Sequence, residues 1–178
     1  MVFVLTKKIN LGLFFTKGNS LESWKNSGLL QREKLLYEHM LQKGDLYRVF
    51  WFTYGKNDGK IAEDLMNNYL LNKHIHVVPI PKILSNRLGQ WIYSLIIFFV
   101  HYDLFRKIDI LKSNQLYGSW APLIVKFFTR KPFILRTGYV LSLYYNLNIL
   151  LRYFFLTLER LVFHFADISV VSNTTDFE

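Results

Sequence analysis

The chain has no cysteine, and only three of its 178 residues are alanine, at positions 62, 121 and 166. Without cysteine there is no disulfide scaffold, no thiolate metal site and no cysteine nucleophile, and nothing is learned about the redox compartment. Long apolar runs are missing too. The longest uncharged stretches, Leu88 to Tyr102 and Thr137 to Leu151, have 15 residues each and contain Gln, Asn, His or Gly. Both fall short of the ~18 apolar residues that mark a spanning helix, so buried or interfacial helices are expected. The N-terminus does not have a signal peptide's order, because Lys7 and Lys8 follow the apolar run Met1 to Thr6 instead of preceding it. Several motifs are also absent. There is no G-x-G-x-x-G, no G-x-x-x-x-G-K-[ST], no G-x-S-x-G elbow and no H-E-x-x-H, which removes the main support for dinucleotide, P-loop, serine-hydrolase and zinc-protease chemistry. The five histidines, at 39, 74, 76, 101 and 164, offer no third ligand near His74 and His76, so no metal site is expected.

What the chain does have is apolar and aromatic surface. Hydrophobic residues make up 51% and charged residues 20%, which excludes disorder. A chain of this length forms one domain and buries about 70% of its unfolded surface without a staple. Aromatics reach 17%, a share that codon usage explains as readily as function. Lys and Arg outnumber Asp and Glu by 22 to 13, and the excess is uneven. Residues 1–81 carry 11 basic and 7 acidic groups, 82–136 carry 9 and 2, and 137–178 carry 2 and 4. The basic, aromatic middle third would attract nucleic acid, anionic lipid or a phosphorylated substrate. No nucleic-acid motif accompanies it, so nucleic acid is not expected as a partner.

Strand and helix patterns alternate. Strands are expected at Val2–Thr6, Arg48–Thr53, His74–Pro79, Ile108–Lys112, Phe133–Thr137 and Ile168–Ser172. Helices are expected at 28–43, 60–71, 86–105, 117–129 and 141–165, with Lys7 to Ser27 as a long loop. In the first helix Leu29, Leu30, Leu35, Leu36, Met40 and Leu41 mark the core side, Ser27 could cap the start, and Gly44 lies just past the end. The expected fold is α/β: one doubly wound, mostly parallel, Rossmann-like sheet over residues 1–178. In such sheets ligands sit outside the carboxyl ends of the strands, which directs attention to 7–28, 53–60, 79–87, 113–119 and 137–141.

Three groups of residues could carry chemistry. Ser27 and Gly28 open a helix whose free N–H groups suit a phosphate, though an ordinary cap has the same sequence. Asn114 follows the fourth strand, and Arg136, Thr137, Gly138 and Tyr139 follow the fifth. Arg136 could grip a phosphate or carboxylate through its planar fork, and Tyr139 could stack on a ring. Lys126, Arg130 and Lys131 are the basic positions expected to dock on anionic lipid. Arg32 beside Glu33 is expected to be a local ion pair. No catalytic residue emerges.

The order of these features is similar to a known family. Ser27-Gly-Leu-Leu-Gln-Arg-Glu33, Leu41-Gln-Lys-Gly44, strand Val49–Thr53, Asp109-Ile-Leu-Lys-Ser-Asn114, Pro132-Phe-Ile-Leu-Arg-Thr-Gly-Tyr139 and Ala166-Asp-Ile-Ser-Val-Val-Ser172 together resemble the N-terminal domain of family-4 (group 1) retaining glycosyltransferases of the GT-B fold. The register of the motifs carries the resemblance across the chain. Ser27 stands where the family has the first of two glycines, Asp45 where it has a histidine, and Gly138-Tyr139 where a histidine often follows the fifth strand.

The resemblance implies an acceptor-side half of a two-domain enzyme. Its second domain, with paired glutamates seven residues apart, would hold most of the nucleotide-sugar donor, and the chain as given has no room for that domain. The implied reaction moves a sugar from a nucleotide diphosphate to a lipid-linked or polysaccharide acceptor, with no separate cofactor. Donor phosphates would lie near Ser27 and Gly28, and the acceptor near Asn114, Arg136, Thr137, Gly138 and Tyr139. The implied location is cytoplasmic, peripheral at the inner face of a membrane, and the chain alone would be inactive. Two alternatives stay open: a non-enzymatic Rossmann-like module for a phosphorylated ligand or a membrane, or one subunit of a split transferase with a separate donor-domain chain.

Overall fold

A computed structural model describes residues 8–138 and 149–171 of the chain. In chain order the strands are β1 (Asn10–Phe14), β2 (Arg48–Thr53), β3 (Ile75–Pro79), β4 (Ile110–Ser113), β5 (Phe133–Thr137) and β6 (Ile168–Val171). The helices are α1 (Leu21–Asn26), α2 (Leu29–Lys43), α3 (Asp58–Asn67), α4 (Arg87–Val100), α5 (Tyr102–Lys107), α6 (Trp120–Thr129) and α7 (Ile149–Phe165), with a 3₁₀ turn at Lys82–Leu84. The six strands form one sheet in the order β3-β2-β1-β4-β5-β6, and every pairing is parallel. This is the expected doubly wound sheet. The order reverses between β1 and β4, which places the crevice for a ligand at their carboxyl ends.

One expectation near the N-terminus is corrected and another is untested. The strand expected at Val2–Thr6 lies outside the described residues, and the expected loop Lys7–Ser27 contains both β1 and α1. Asn10 and Gly12 made β1 resemble a loop, yet the strand needs a glycine there. A Cβ on Gly12 would lie 3.1 Å from Ile108 Cδ1 and 3.5 Å from the Phe52 ring. Helix α1 is short but well capped. Ser20 Oγ accepts from the Ser23 amide, and Ser23 Oγ accepts from the Ser20 amide, both at 2.9 Å.

The expected helix 86–105 is in fact two helices, because His101 leaves helical geometry at φ −122° and ψ 31°. Its Nε2 lies 3.0 Å from the buried Tyr93 hydroxyl, and α5 starts immediately afterwards. For the helix expected over 141–165, residues 149–165 are helical and the earlier positions lie outside the described residues.

Two cores flank the sheet. On one side Leu11, Leu13, Val49, Trp51 and Ile75 pack under α1–α3 against Leu21, Trp24, Leu30 and Tyr37. On the other side Phe14, Phe50, Phe52, Leu111, Phe133 and Leu135 pack under α4–α7 against Tyr93, Ile97, Phe105, Trp120, Val125 and Val162. β2, with the sequence RVFWFT, is buried at every position after the first, as a central parallel strand with both faces covered must be. Much of the aromatic excess is core filling. Phe14 stacks on Phe52 at 4.8 Å, Phe52 on Phe105 at 4.9 Å, and Phe15 on Trp24 at 3.7 Å.

Candidate functional site

The carboxyl ends of β1, β4 and β5 lie side by side, and the polar residues that follow them meet there. Arg136, near the end of β5, is the centre. Its Nη1 donates to Glu33 Oε2 at 2.8 Å and to Asn114 Oδ1 at 3.3 Å, while its backbone amide donates to Ser113 Oγ at 3.2 Å. Glu33 is buried in the second turn of α2 and also accepts from Arg32 Nη2 at 3.0 Å. The Arg32–Glu33 pair is therefore real, but it is one arm of a longer network. Asn114 is buried and held by its amide on Phe14 O at 2.9 Å. Gln115 Oε1 accepts from the Gly138 amide at 3.0 Å, which ties the loop after β4 to the loop after β5. Thr137 is buried beside them, and Tyr139 lies outside the described residues.

The network continues beneath the sheet edge. Lys112 Nζ donates to Tyr37 OH at 3.2 Å and sits 5.1 Å above its ring. Burial, and next the Arg136 charge, hold the Lys112 ammonium below its ordinary range, with Glu33 opposing them. Burial and then Glu33 push the Tyr37 phenol up, so it stays protonated. Arg32 and Arg136 thus share one carboxylate, with Lys112 within reach of its field, leaving a positive surplus at the sheet's carboxyl edge. Such a surplus beside a planar guanidinium fork suits an anion, phosphate above all.

Ser27 and Gly28 lie at the joint between α1 and α2. Ser27 closes α1, with its hydroxyl donating to Trp24 O at 3.3 Å, instead of capping α2. Gly28 is the N-cap of α2 at φ +74°, with no side-chain bond to the first turn and no acidic residue in that turn. The first-turn amides of α2 are thus left without a side-chain cap, at the same end of the helix from which Glu33 reaches Arg136.

The loop that directly follows β1 is Phe15–Ser20, inside the 7–28 segment to which the sequence directed attention, although only Ser27 and Gly28 were named there. Gly18 there takes φ +88°, and Lys17 N donates to Tyr117 O at 3.3 Å across the switch point. Gly118, at φ +99°, lets that loop approach, because a Cβ on it would meet Lys17 N at 2.7 Å. Lys17 Nζ lies 4.1 Å over the Trp91 ring, and burial lowers its pKa.

The three basic docking positions differ from one another. Lys126 pairs with Asp167, whose carboxyl is held below the ordinary range by Lys126 and by the Phe133 amide. Lys131 donates to the carbonyls of Phe105 and Ile108. Arg130 is exposed, in a left-handed conformation at the end of α6. Among the described residues no three metal-ligating side chains converge, and no helix is long and apolar enough to cross a membrane.

Lys17 went unrecognised in the sequence, where Lys112 stood only as the first residue of the polar stretch after the fourth strand and Glu33 only as a local partner of Arg32. The signal for Glu33 was spacing: Leu30, Glu33, Lys34 and Tyr37 share one helical face, and that face is the buried one. Leu35 and Leu36, read as core from the leucine pattern, are exposed at 60% and 45%.

An all-parallel sheet with the crossover reversed at β1/β4, and a cationic cluster at that edge, defines the class: a doubly wound, Rossmann-like α/β domain. One similar solved structure supports that fold, and another is more distant. Arabidopsis thaliana UGT89C1, complexed with UDP-L-rhamnose, matches 97% of this chain and 47% of its own, at 16% identity and a TM-score of 0.53. Anabaena HepE, in complex with UDP, matches 90% of this chain and 36% of its own at 12% identity and a TM-score of 0.46. The chain spans less than half the length of either. No protein-family model matches the sequence, and no curated protein does.

Proposed function

We propose that this chain is the acceptor-side domain of a glycosyltransferase. The enzyme would transfer a sugar, with retention, from a nucleotide diphosphate donor to a lipid-linked or polysaccharide acceptor. The observation that carries the proposal is the cluster of Arg136, Asn114, Glu33 and Arg32 at the carboxyl edge of the sheet. Arg136 and Asn114 would engage a phosphate or hydroxyl of the acceptor. The open N-terminus of α2 at Gly28, and the Lys17-Gly18 loop at the switch point, would face the donor diphosphate. The nucleotide-sugar in the UGT89C1 complex supports a donor of that chemistry. Most donor contacts would come from a second domain, in the same polypeptide or in a partner chain, so these 178 residues would bind without turning over. The domain would work as a peripheral protein on the inner face of a membrane, where a lipid-linked acceptor is presented.

Titration of the chain with UDP and with inorganic pyrophosphate, beside a sugar-transfer assay, tests this. Both ligands are expected to bind weakly, without transfer; binding of pyrophosphate, which stands in for an acceptor phosphate, is expected to be about fivefold or more weaker in both Arg136→Ala and Arg136→Lys, since lysine keeps the charge and loses the fork, while UDP binding changes little. Unchanged pyrophosphate binding in both variants overturns the site. Sugar transfer by the 178 residues alone overturns the division between domains.

A further inference from the structure

Helix α4 is apolar on both sides. One side enters the core through Tyr93, Ile97 and Phe98. The other carries Leu88, Ile92, Leu95 and Phe99, spaced four, three and four residues apart, and these are 70, 41, 54 and 62% exposed. At 1.5 Å per residue the stripe runs about 16 Å along the helix axis. The neighbouring α6 extends it, because Phe128 stacks on Phe98 at 4.6 Å and meets Phe99 edge-on at 5.3 Å, while Phe127 lies 5.3 Å from Phe165 of α7. Phe127 and Phe128 are themselves 64 and 56% exposed. A contiguous apolar face of this kind marks a contact surface.

Cations stand beside it. A groove of about 360 Å³ lined by Leu123, Phe127 and Phe165 has Lys126 and Arg130 at its rim. A second, of about 290 Å³, lies between Phe98, Tyr102 and Phe128 with Arg106 and Lys131. Lys126 and Lys131 are engaged within the fold, but Arg87, Arg106, Lys107 and Arg130 are exposed around the face, with Asp103 the one exposed acid between residues 82 and 131. A second copy docked symmetrically would set these cations against their own equivalents with little to neutralise them. Anionic lipid supplies both complements, acyl chains for the stripe and phosphates for its border.

Resting on the peripheral-membrane reading above, we propose that α4 and the end of α6 form an interfacial anchor. The stripe Leu88–Ile92–Leu95–Phe99, with Phe127 and Phe128, enters the acyl boundary of an anionic bilayer, and Arg106 and Arg130 contact headgroup phosphates. Insertion of apolar side chains, more than the charge of Lys126 and Lys131, holds the domain on the surface.

Co-sedimentation with vesicles of phosphatidylcholine alone, and with phosphatidylglycerol added, tests the anchor. Trp91 is a built-in reporter, exposed beside the stripe while Trp24, Trp51 and Trp120 are buried. The chain is expected to bind anionic vesicles, with Trp91 quenched by brominated acyl chains. Leu95→Gln with Phe99→Gln is expected to reduce binding at least tenfold while its circular dichroism and melting stay those of the parent. Arg106→Glu with Arg130→Glu is expected to remove the preference for anionic lipid and to leave residual binding. If the glutamine pair binds normally and the charge reversals abolish binding, docking is electrostatic and the anchor is refuted, though the peripheral reading stands. If the parent binds no vesicle, both fail. A concentration-dependent dimer in sedimentation velocity that the glutamine pair dissolves would assign the face to a second copy and overturn the anchor.

Discussion

Glu33 is the residue on which the candidate site is built, since it is buried and its two oxygens separately receive Arg32 and Arg136. Removing its charge leaves two guanidinium groups facing a neutral amide. Glu33→Gln is expected to cost about 1–3 kcal/mol in urea unfolding, with Glu33→Ala costing more, because the alanine removes the acceptors altogether. Gly118 is a second single-residue constraint. Alanine there combines a left-handed φ with a methyl group 2.7 Å from the Lys17 amide, so the β1–α1 and β4–α6 loops must separate. Gly118→Ala is expected to lower stability by ~2 kcal/mol and to expose Trp91 as Lys17 leaves its ring, read as a change in Trp fluorescence. Neither role was legible in sequence. Glu33 stood beside an arginine on a helix, and only the sheet brings Arg136 to it from a position 103 residues away.

At the scale of elements, α2 separates pattern from packing. Substitution of the exposed Leu35 or Leu36 by glutamine is expected to change stability by under ~0.5 kcal/mol. Tyr37→Ala, fully buried in the third turn of α2, is expected to cost about 3–5 kcal/mol by analogy with other buried aromatics. Equal costs in urea melts would mean that the leucine face is the packed one. The joint between α4 and α5 makes a different prediction. Burial holds the pKa of His101 down to about 4, against 6.5 in an open chain. The unfolded chain therefore binds a proton at pH values where the folded chain does not. This contribution is complete above about pH 6.5 and is lost as pH falls toward 4, to the extent of about 2 kcal/mol after allowing for the partial exposure of the ring. Urea midpoints at pH 7 and pH 5 check this, and His101→Gln is expected to flatten the difference.

For the molecule as a whole, the sheet order predicts where stability lies. β1, β2, β4 and β5 have neighbours on both sides, whereas β3 and β6 are edges, and β6 is exposed through most of its length. Amide exchange is expected to be slowest in β1 and β2 and fastest in β6. The same layout concentrates function. The polar cluster sits on the carboxyl edge, where loops meet, and the apolar, basic face sits on the α4–α6 layer. The proposed docking surface and the candidate site thus lie on separate parts of one scaffold.

The sequence alone determined the alternation of strands and helices, the α/β class, the polar residues after β4 and β5, and the basic aromatic middle third. Each of these follows from local periodicity or composition, which acts within a few residues. The tertiary structure decided what depends on distant neighbours. It put β1 at Asn10–Phe14, where Gly12 leaves room for the neighbouring Ile108 and Phe52, and broke the long helix at His101, where Tyr93 waits. It buried Glu33 while exposing Leu35 and Leu36, and it engaged Lys126 and Lys131 inside the fold. Cysteine's absence left no covalent cross-link to hold the chain. Its stability instead comes from aromatic packing on both faces of the sheet, whose partners lie too far apart in sequence for any local pattern to pair them.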